Sequence, residues 1–321
     1  MIWGDMGFKS GFVAILGQAN AGKSTLLNAL VGEKVAIVSS HPQTTRNRIL
    51  GIVNRPGAQI VINDTPGLHK SDSLLGRQML EEIEQALDGI HVLLLIVDAS
   101  RKFSTGDQRA LDRAERFRGP RILLLNKIDR VRKDALLPMI AAYSKKLEFA
   151  AIIPISALTG DGVELLLRTL EKYLPEGPPY FPEDQYTDQP ERFLAAEIIR
   201  EKVLAHTRQE LPHAVAVLLD RFEEGEKLTR ILATIYVDRE GQKGIVIGRA
   251  GATLKMIGTE ARLELEQMLG RKIFLELFVK VRPDWRDQAA IVRELDWRRQ
   301  MEEMSADEED EAVEFEEGGE A

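Results

Sequence analysis

The 321-residue chain is 44% hydrophobic and 29% charged, a balance that can fill the cores of two ordinary domains. It has no Cys, which excludes disulfides and thiolate metal sites, and its five His (41, 69, 91, 206 and 213) lack the clustering of zinc ligands. The formal charge of -8 comes from the C-terminus: residues 302–321 hold eleven Asp/Glu and no Lys/Arg, leaving +3 on residues 1–301.

The chain opens without a basic stretch and apolar leader, and its longest aliphatic run, Val92–Val97, is far too short for a bilayer, so a cytoplasmic protein is expected. From residue 11 to 173 apolar runs alternate with helical patterns. Strands are expected at 11–16, 48–54, 58–63, 91–97, 121–125 and 150–155, with helices near 22–31, 76–88, 106–116, 132–146 and 161–173. Runs apolar on both faces, such as Val92–Val97, belong in a parallel sheet covered on each side. The pattern predicts a doubly wound α/β domain over 1–174. Arg55-Pro56-Gly57 is too short for a crossover helix, so one edge strand should be antiparallel.

Residues 175–191 form a proline-rich stretch, read as a semi-rigid extended linker. A smaller α+β domain follows over 192–285: helix 192–207, strands 214–222 and 229–238, a Gly-rich turn, helix 252–269 and strand 272–281. A C-terminal helix is expected from 284 to 303, occupying 286–303 as a segment of its own, before an acidic, disordered and solubilising tail at 304–321. Phe274 and Phe278 are expected to pack under that helix with Trp285 and Leu295, with base stacking as the alternative.

The motif around which the chain is organised is Gly17-Gln18-Ala19-Asn20-Ala21-Gly22-Lys23-Ser24, followed by Thr25 and placed directly after the run Phe12–Leu16. Strand, glycine-rich loop and helix make a phosphate cradle: backbone N–H groups face phosphate, Lys23 reaches the β- and γ-phosphates, and Ser24 ligates Mg²⁺. A strand-to-helix turn built of small residues is the plainer alternative. Asp64-Thr65-Pro66-Gly67 ends the next long strand, where Asp64 can hold Mg²⁺ through water and Gly67 N–H can meet the γ-phosphate. Asn126-Lys127-Ile128-Asp129 supplies a carboxylate, Asp129, for the two N–H groups on the Watson–Crick edge of guanine. Asn126 would brace loops, Lys127 would cover the base, and Ser156-Ala157 would offer a backbone N–H to guanine O6, with Leu158 next to them in the nucleotide site. All four motifs fall in order at successive strand ends, where α/β ligands bind.

This ordered set resembles the translation-factor-related GTPases. The resemblance implies two nucleotide-sensitive segments, 33–47 and 67–76. In the first, Thr45 is favoured over Thr44 as an Mg²⁺ ligand because it directly precedes Arg46. In the second, Leu68 stands where Ras-like enzymes carry the glutamine that orients water. Related enzymes with an apolar residue there use an Asn at position 20 to hold K⁺, so Asn20 is either a K⁺ ligand or a loop former. The catalytic set expected is thus Lys23, Thr45, Gly67 and Asn20.

Gly248-Arg249-Ala250-Gly251 opens a helix whose Leu254, Ile257, Ala261, Leu265 and Met268 share one face. Such a loop clamps single-stranded RNA in KH domains, and Lys243, Arg249 and Lys255 bracket it; a tight turn is the plainer reading. Residues 227–282 carry eleven Lys/Arg against six Asp/Glu. A GTPase followed by a type II KH module resembles the Era family over about residues 8–297, most tellingly at Val35–Ser39, Pro42–Ile49 and Lys280-Val281-Arg282-Pro283 with Trp285-Arg286. Ala19 and Ala21 replace its common Pro and Val. The resemblance implies a GTP-hydrolysing monomer that uses GTP/GDP and Mg²⁺, binds the 3′ end of small-subunit ribosomal RNA, and assists assembly of the 30S subunit. It also implies peripheral contact with the inner membrane. The alternative is an RNA-binding or membrane-associated cell-cycle switch whose hydrolysis is slow and incidental.

Overall fold

A computed structural model describes residues 7–297, apart from residues 40, 42, 43, 68–72, 208–210, 212, 213 and 226. Leu68, His69 and Lys70, Pro42 and Gln43, and the tail at 304–321 therefore lie outside the described residues. The chain divides into two units, one from 1–72 and 76–188, the other from 73–75 and 189–321.

In the first unit six strands form one sheet: β1 (Lys9–Leu16), β2 (Ile49–Arg55), β3 (Ala58–Asp64), β4 (Val92–Asp98), β5 (Arg121–Asn126) and β6 (Ala151–Pro154). Their order is β2-β3-β1-β4-β5-β6. Among them only β2 runs antiparallel to its neighbour, registering Arg55 with Ala58 across Pro56-Gly57, where Gly57 takes φ 77°. Five helices flank the sheet: α1 (Lys23–Val31), α2 (Leu74–Leu87), α3 (Thr105–Arg116), α4 (Leu136–Ser144) and α5 (Val163–Glu171). Burial on both faces explains the uninterrupted apolar strands: Val92, Leu94 and Ile96 pack with α1 and α5, while Leu93, Leu95 and Val97 pack with α3.

The proline-rich segment is extended and tied down. Ile52 N donates to Tyr186 O at 2.8 Å, and Thr187 Oγ1 donates to Leu50 O at 2.7 Å, along the outer edge of β2. The buried Gln59 amide donates to Phe181 O and accepts from the Tyr180 and Phe181 amides, so an otherwise costly buried polar group is satisfied. An open sheet edge is thereby covered.

The second unit contains α6 (Glu191–His206), β7 (Ala216–Glu223), β8 (Leu228–Val237), α7 (Glu240–Ile247), α8 (Ala252–Leu269), β9 (Lys272–Val281) and α9 (Ala289–Glu294). Its sheet is ordered β7-β8-β9, with β7 antiparallel and β9 parallel to β8. Ile198, Ile199 and Val203 of α6 and Ile257, Ala261 and Leu265 of α8 close one face of the sheet.

Three features depart from the expectations. The helix α7, absent from the sequence reading, precedes the Gly-rich turn; Gln242 Oε1 accepts from the Asp238 and Arg239 amides to start it, and Val246 anchors it in the core. The continuous helix from 284 is not formed: Asp284 is left-handed (φ 52°), residues 285–287 make one tight turn, Gln288 is non-helical, and α9 ends at Glu294. Trp285 breaks the run because its indole is fully buried and donates to Ala214 O at 2.9 Å. Finally, Phe274 and Phe278 do not pack under that segment but remain exposed on the outer face of β9.

Candidate nucleotide site and comparison with known proteins

The phosphate loop connects β1 to α1. Gly17 leaves no room for a side chain, since a Cβ there would lie 2.5 Å from Ile96 O. Asn20 is left-handed at φ 62°. Gln18 is held from outside the loop: its Nε2 donates to Asp107 Oδ1 at 2.8 Å, and Asp107 also receives the Ser104 hydroxyl and amide that cap α3. Ala21 is fully buried, Ala19 and Thr25 line the cleft in front of the loop, and Gly67 packs against the backbone of Ala19.

Lys23 is 6% exposed and donates to Gly17 O (3.3 Å) and Gln18 O (3.2 Å). Burial lowers its pKa, opposed by the attraction of Asp64. Beside it three oxygens converge: Ser24 Oγ lies 2.8 Å from Thr45 Oγ1 and donates to Asp64 Oδ2 at 2.7 Å, and Thr45 Oγ1 reaches the same carboxylate oxygen at 3.4 Å. Thr44 is directed elsewhere, donating to His41 O at 2.6 Å. Burial pushes the Asp64 carboxyl up to about 6, against the pull of Lys23, Ser24 and Thr45, and its Oδ1 is buried with no hydrogen-bond partner. Hard oxygen donors with an unspent carboxylate oxygen fit Mg²⁺ and its bound water. Thr65 anchors the segment through Ile15 O at 2.7 Å, and Pro66 is buried beside it.

The second half of the site lies at the ends of β5 and β6. Asn126 spans two loops: Nδ2 donates to Ala21 O at 2.8 Å and Oδ1 accepts from Ala157 N at 3.0 Å. Lys127, left-handed at φ 66°, donates to Asn20 O and Asp98 Oδ2, each at 2.7 Å. Burial raises the pKa of Asp98, but the Lys127 and Ser100 bonds outweigh it and hold the carboxyl below its usual value. Ser156 Oγ donates to Asp129 Oδ1 at 2.6 Å and orients that carboxylate. The amides read as donors to guanine O6 are both engaged within the protein: Ser156 N donates to Asp161 O and Ala157 N to Asn126. Reading O6 with Ala157 therefore means sharing or exchanging that bond, and exposed Leu158 follows it. The Gln18–Asp107 contact and the Lys127–Asp98 pair lie outside the motifs; no spacing signal in the sequence announces either.

Gly248 (φ 74°) and Gly251 (φ 78°) flank Arg249 and a left-handed Ala250 in a tight turn between α7 and α8. A Cβ at Gly248 would collide with Thr253, whereas space beside Gly251 is open. Arg249, Ala250 and, one turn into α8, Lys255 are exposed; Lys243 lies half-buried on α7. The turn thus presents backbone and cations together. Among the described residues no helix is long and apolar enough to cross a membrane.

A family described as 50S ribosome-binding GTPase matches residues 12–127, and a KH domain family matches residues 210–286. GTPase Era of Geobacter metallireducens is 51% identical over 293 residues, spanning 91% of this chain and 98% of its own. GTPase Era of Syntrophus aciditrophicus is 51% identical over 289 residues, covering 89% and 94%. A crystal structure of Era in complex with MgGDPNP and nucleotides 1506–1542 of 16S ribosomal RNA aligns with TM-score 0.86 at 44% identity, over 90% of this chain and 99% of that one. A point variant of Aquifex aeolicus Era bound to GDP·AlF4⁻ aligns with TM-score 0.85 at 44% identity, over the same shares. With its Gly17–Ser24 loop, its Asn126–Asp129 motif and its Gly248–Gly251 turn carried on one chain, the protein belongs to the Era family of GTPases.

Proposed function

We propose that the protein is a GTP-hydrolysing switch that binds the 3′ end of small-subunit ribosomal RNA and assists assembly of the small ribosomal subunit, acting as a monomer. The observation that carries the reading is the coexistence of the Ser24–Thr45–Asp64 oxygen cluster beside buried Lys23 with an exposed Gly248–Gly251 turn. The relatives point the same way: Era has been crystallised with a GTP analogue, Mg²⁺ and 16S RNA.

In this reading Lys23 and the loop amides hold the phosphates, and Asp129 selects guanine. Thr45 and Gly67 are recruited when a γ-phosphate is present, reshaping 33–47 and 67–76. Bound Mg²⁺ neutralises charge developing between the β- and γ-phosphates. Hydrolysis resets the switch, and RNA meets the second unit at Gly248, Arg249, Ala250 and Gly251 with Lys243 and Lys255 alongside. The test is RNA affinity in two nucleotide states: a 16S 3′-end RNA should bind at least about tenfold tighter with a GTP analogue than with GDP, a coupling of ordinary size. Equal affinity would refute the switch.

The finer proposal concerns K⁺. Leu68 cannot orient water, and Asn20 sits in the phosphate loop at a left-handed position. A K⁺ held at Asn20 would stabilise the transition-state charge that a finger residue otherwise meets. Hydrolysis should run at least about tenfold faster in K⁺ than in Na⁺, with Asn20→Ala removing the difference. Equal rates in the two salts discard the cation and leave Asn20 as a loop former.

A further inference from the structure

We propose that the outer face of β9 is a second RNA surface, a stacking platform for a single-stranded segment continuous with the one held at Gly248–Gly251. The inference rests on the RNA-binding reading above. Along β9 the inward residues Ile273, Leu275, Leu277 and Val279 pack on the core, while Lys272, Phe274, Glu276, Phe278 and Lys280 face out. Phe274 is 49% and Phe278 43% exposed. Four residues apart on one strand, the two rings are about 13 Å from each other. Lysines lie at both ends of the row, and exposed Arg230 of β8 registers directly beside Phe274.

Aromatic faces flanked by cations suit a single strand of nucleic acid, rings for the bases and charge for the backbone; here Lys280 and Arg230 supply that charge, while Lys272 is paired with Glu266. The place in the fold also fits. α8 runs back along β9, with Gly258 in reach of Leu277, so the turn at Gly248–Gly251 that opens α8 lies toward the strand end bearing Phe278 and Lys280. The turn lies on the helix side of the sheet and Phe278 on the other, so RNA leaving the turn reaches Phe278 by passing round the outer edge of β9. A Gly-x-x-Gly turn clamps about four nucleotides, whereas the Era complex contains nucleotides 1506–1542; an RNA of that length has nucleotides to spare for a second surface. Glu276, between the rings, is an acceptor for the exocyclic amine of a stacked base.

The test compares two RNAs on the full chain with a GTP analogue: a six-nucleotide fragment that fills only the turn, and the whole stretch corresponding to 16S nucleotides 1506–1542. The double variant Phe274→Ala/Phe278→Ala should bind the long RNA at least about tenfold more weakly and the short one unchanged. Phe274→Tyr/Phe278→Tyr should restore the long RNA; Phe274→Leu/Phe278→Leu should not. Arg249→Asp should weaken both RNAs. An unchanged affinity of the Ala pair for the long RNA overturns the platform, as does full rescue by the Leu pair. Unchanged RNA affinity with lost binding to small ribosomal subunits would make the face a protein contact and also overturn it. If the unaltered protein binds neither RNA, the underlying RNA-binding reading fails, a result distinct from either.

Discussion

Replacing Lys23 by Ala weakens GDP and GTP binding by about 10³-fold and leaves the nucleotide-free protein folded. Removing one partner of a buried, charge-assisted contact costs roughly 3–5 kcal/mol, which corresponds to about 10²- to 10⁴-fold in affinity. Lys23 is 6% exposed, so a contact it makes with phosphate would be of that kind rather than a screened surface pair. The fold is spared because two changes oppose each other when the side chain is lost. Burial lowers the pKa of Lys23, so its charge is held at a cost that Ala removes, while Asp64 loses its nearest cation. Calorimetric titration with GDP and a thermal melt of the same sample check both halves. Affinity within tenfold of the unaltered protein would remove Lys23 from the phosphate site.

Changing Asp129 to Asn costs about 10³-fold in guanine nucleotide affinity and transfers preference to xanthine nucleotides. A carboxylate accepts from both N1–H and the exocyclic amine of guanine, whereas the amide of Asn presents a donor to one of them. A site built to pair with a polar edge discriminates by factors of about 10⁴ when one partner is missing, because the remaining buried group is left unpaired. Xanthine replaces that amine with a carbonyl, which the Asn amide can serve. The Ser156 hydroxyl that now donates to Asp129 Oδ1 can still donate to the Asn oxygen, so the loop geometry persists. Competition of GDP and XDP for the variant is the measurement; GDP still preferred would exclude Asp129 as the base reader.

Most of the first unit was legible in the sequence because its elements are strongly periodic. Val92–Val97 is apolar without interruption and became a central strand buried on both faces, and Arg55-Pro56-Gly57 became the hairpin between β2 and β3. The second unit was harder to read where tertiary contacts outweigh local preference. Gly241 and Gly244 argue against a helix at α7, yet Val246 in the core and the Gln242 bonds form one. The segment after Pro283 has good helix formers, but Trp285 finds its burial and its acceptor at Ala214 only by leaving helical geometry. For Phe274 and Phe278 the period of two was correctly read, and what it could not tell was which side of β9 the α-helices would cover. In the site itself the motif residues, Thr45 among them, meet where strand ends converge, while the engagement of the Ala157 amide emerges only from three-dimensional packing.

Asn126 has a consequence for how this chain can change. Its amide bonds Ala21 O on one loop and Ala157 N on another, and its Nδ2 would lie 2.2 Å from a Cβ placed on Gly22. Gly22 is therefore constrained from two directions, by its own φ of 101° and by a side chain more than one hundred positions away. Losing the amide at 126 would disconnect the two loops it joins and still leave position 22 in a backbone conformation that a side chain rarely adopts.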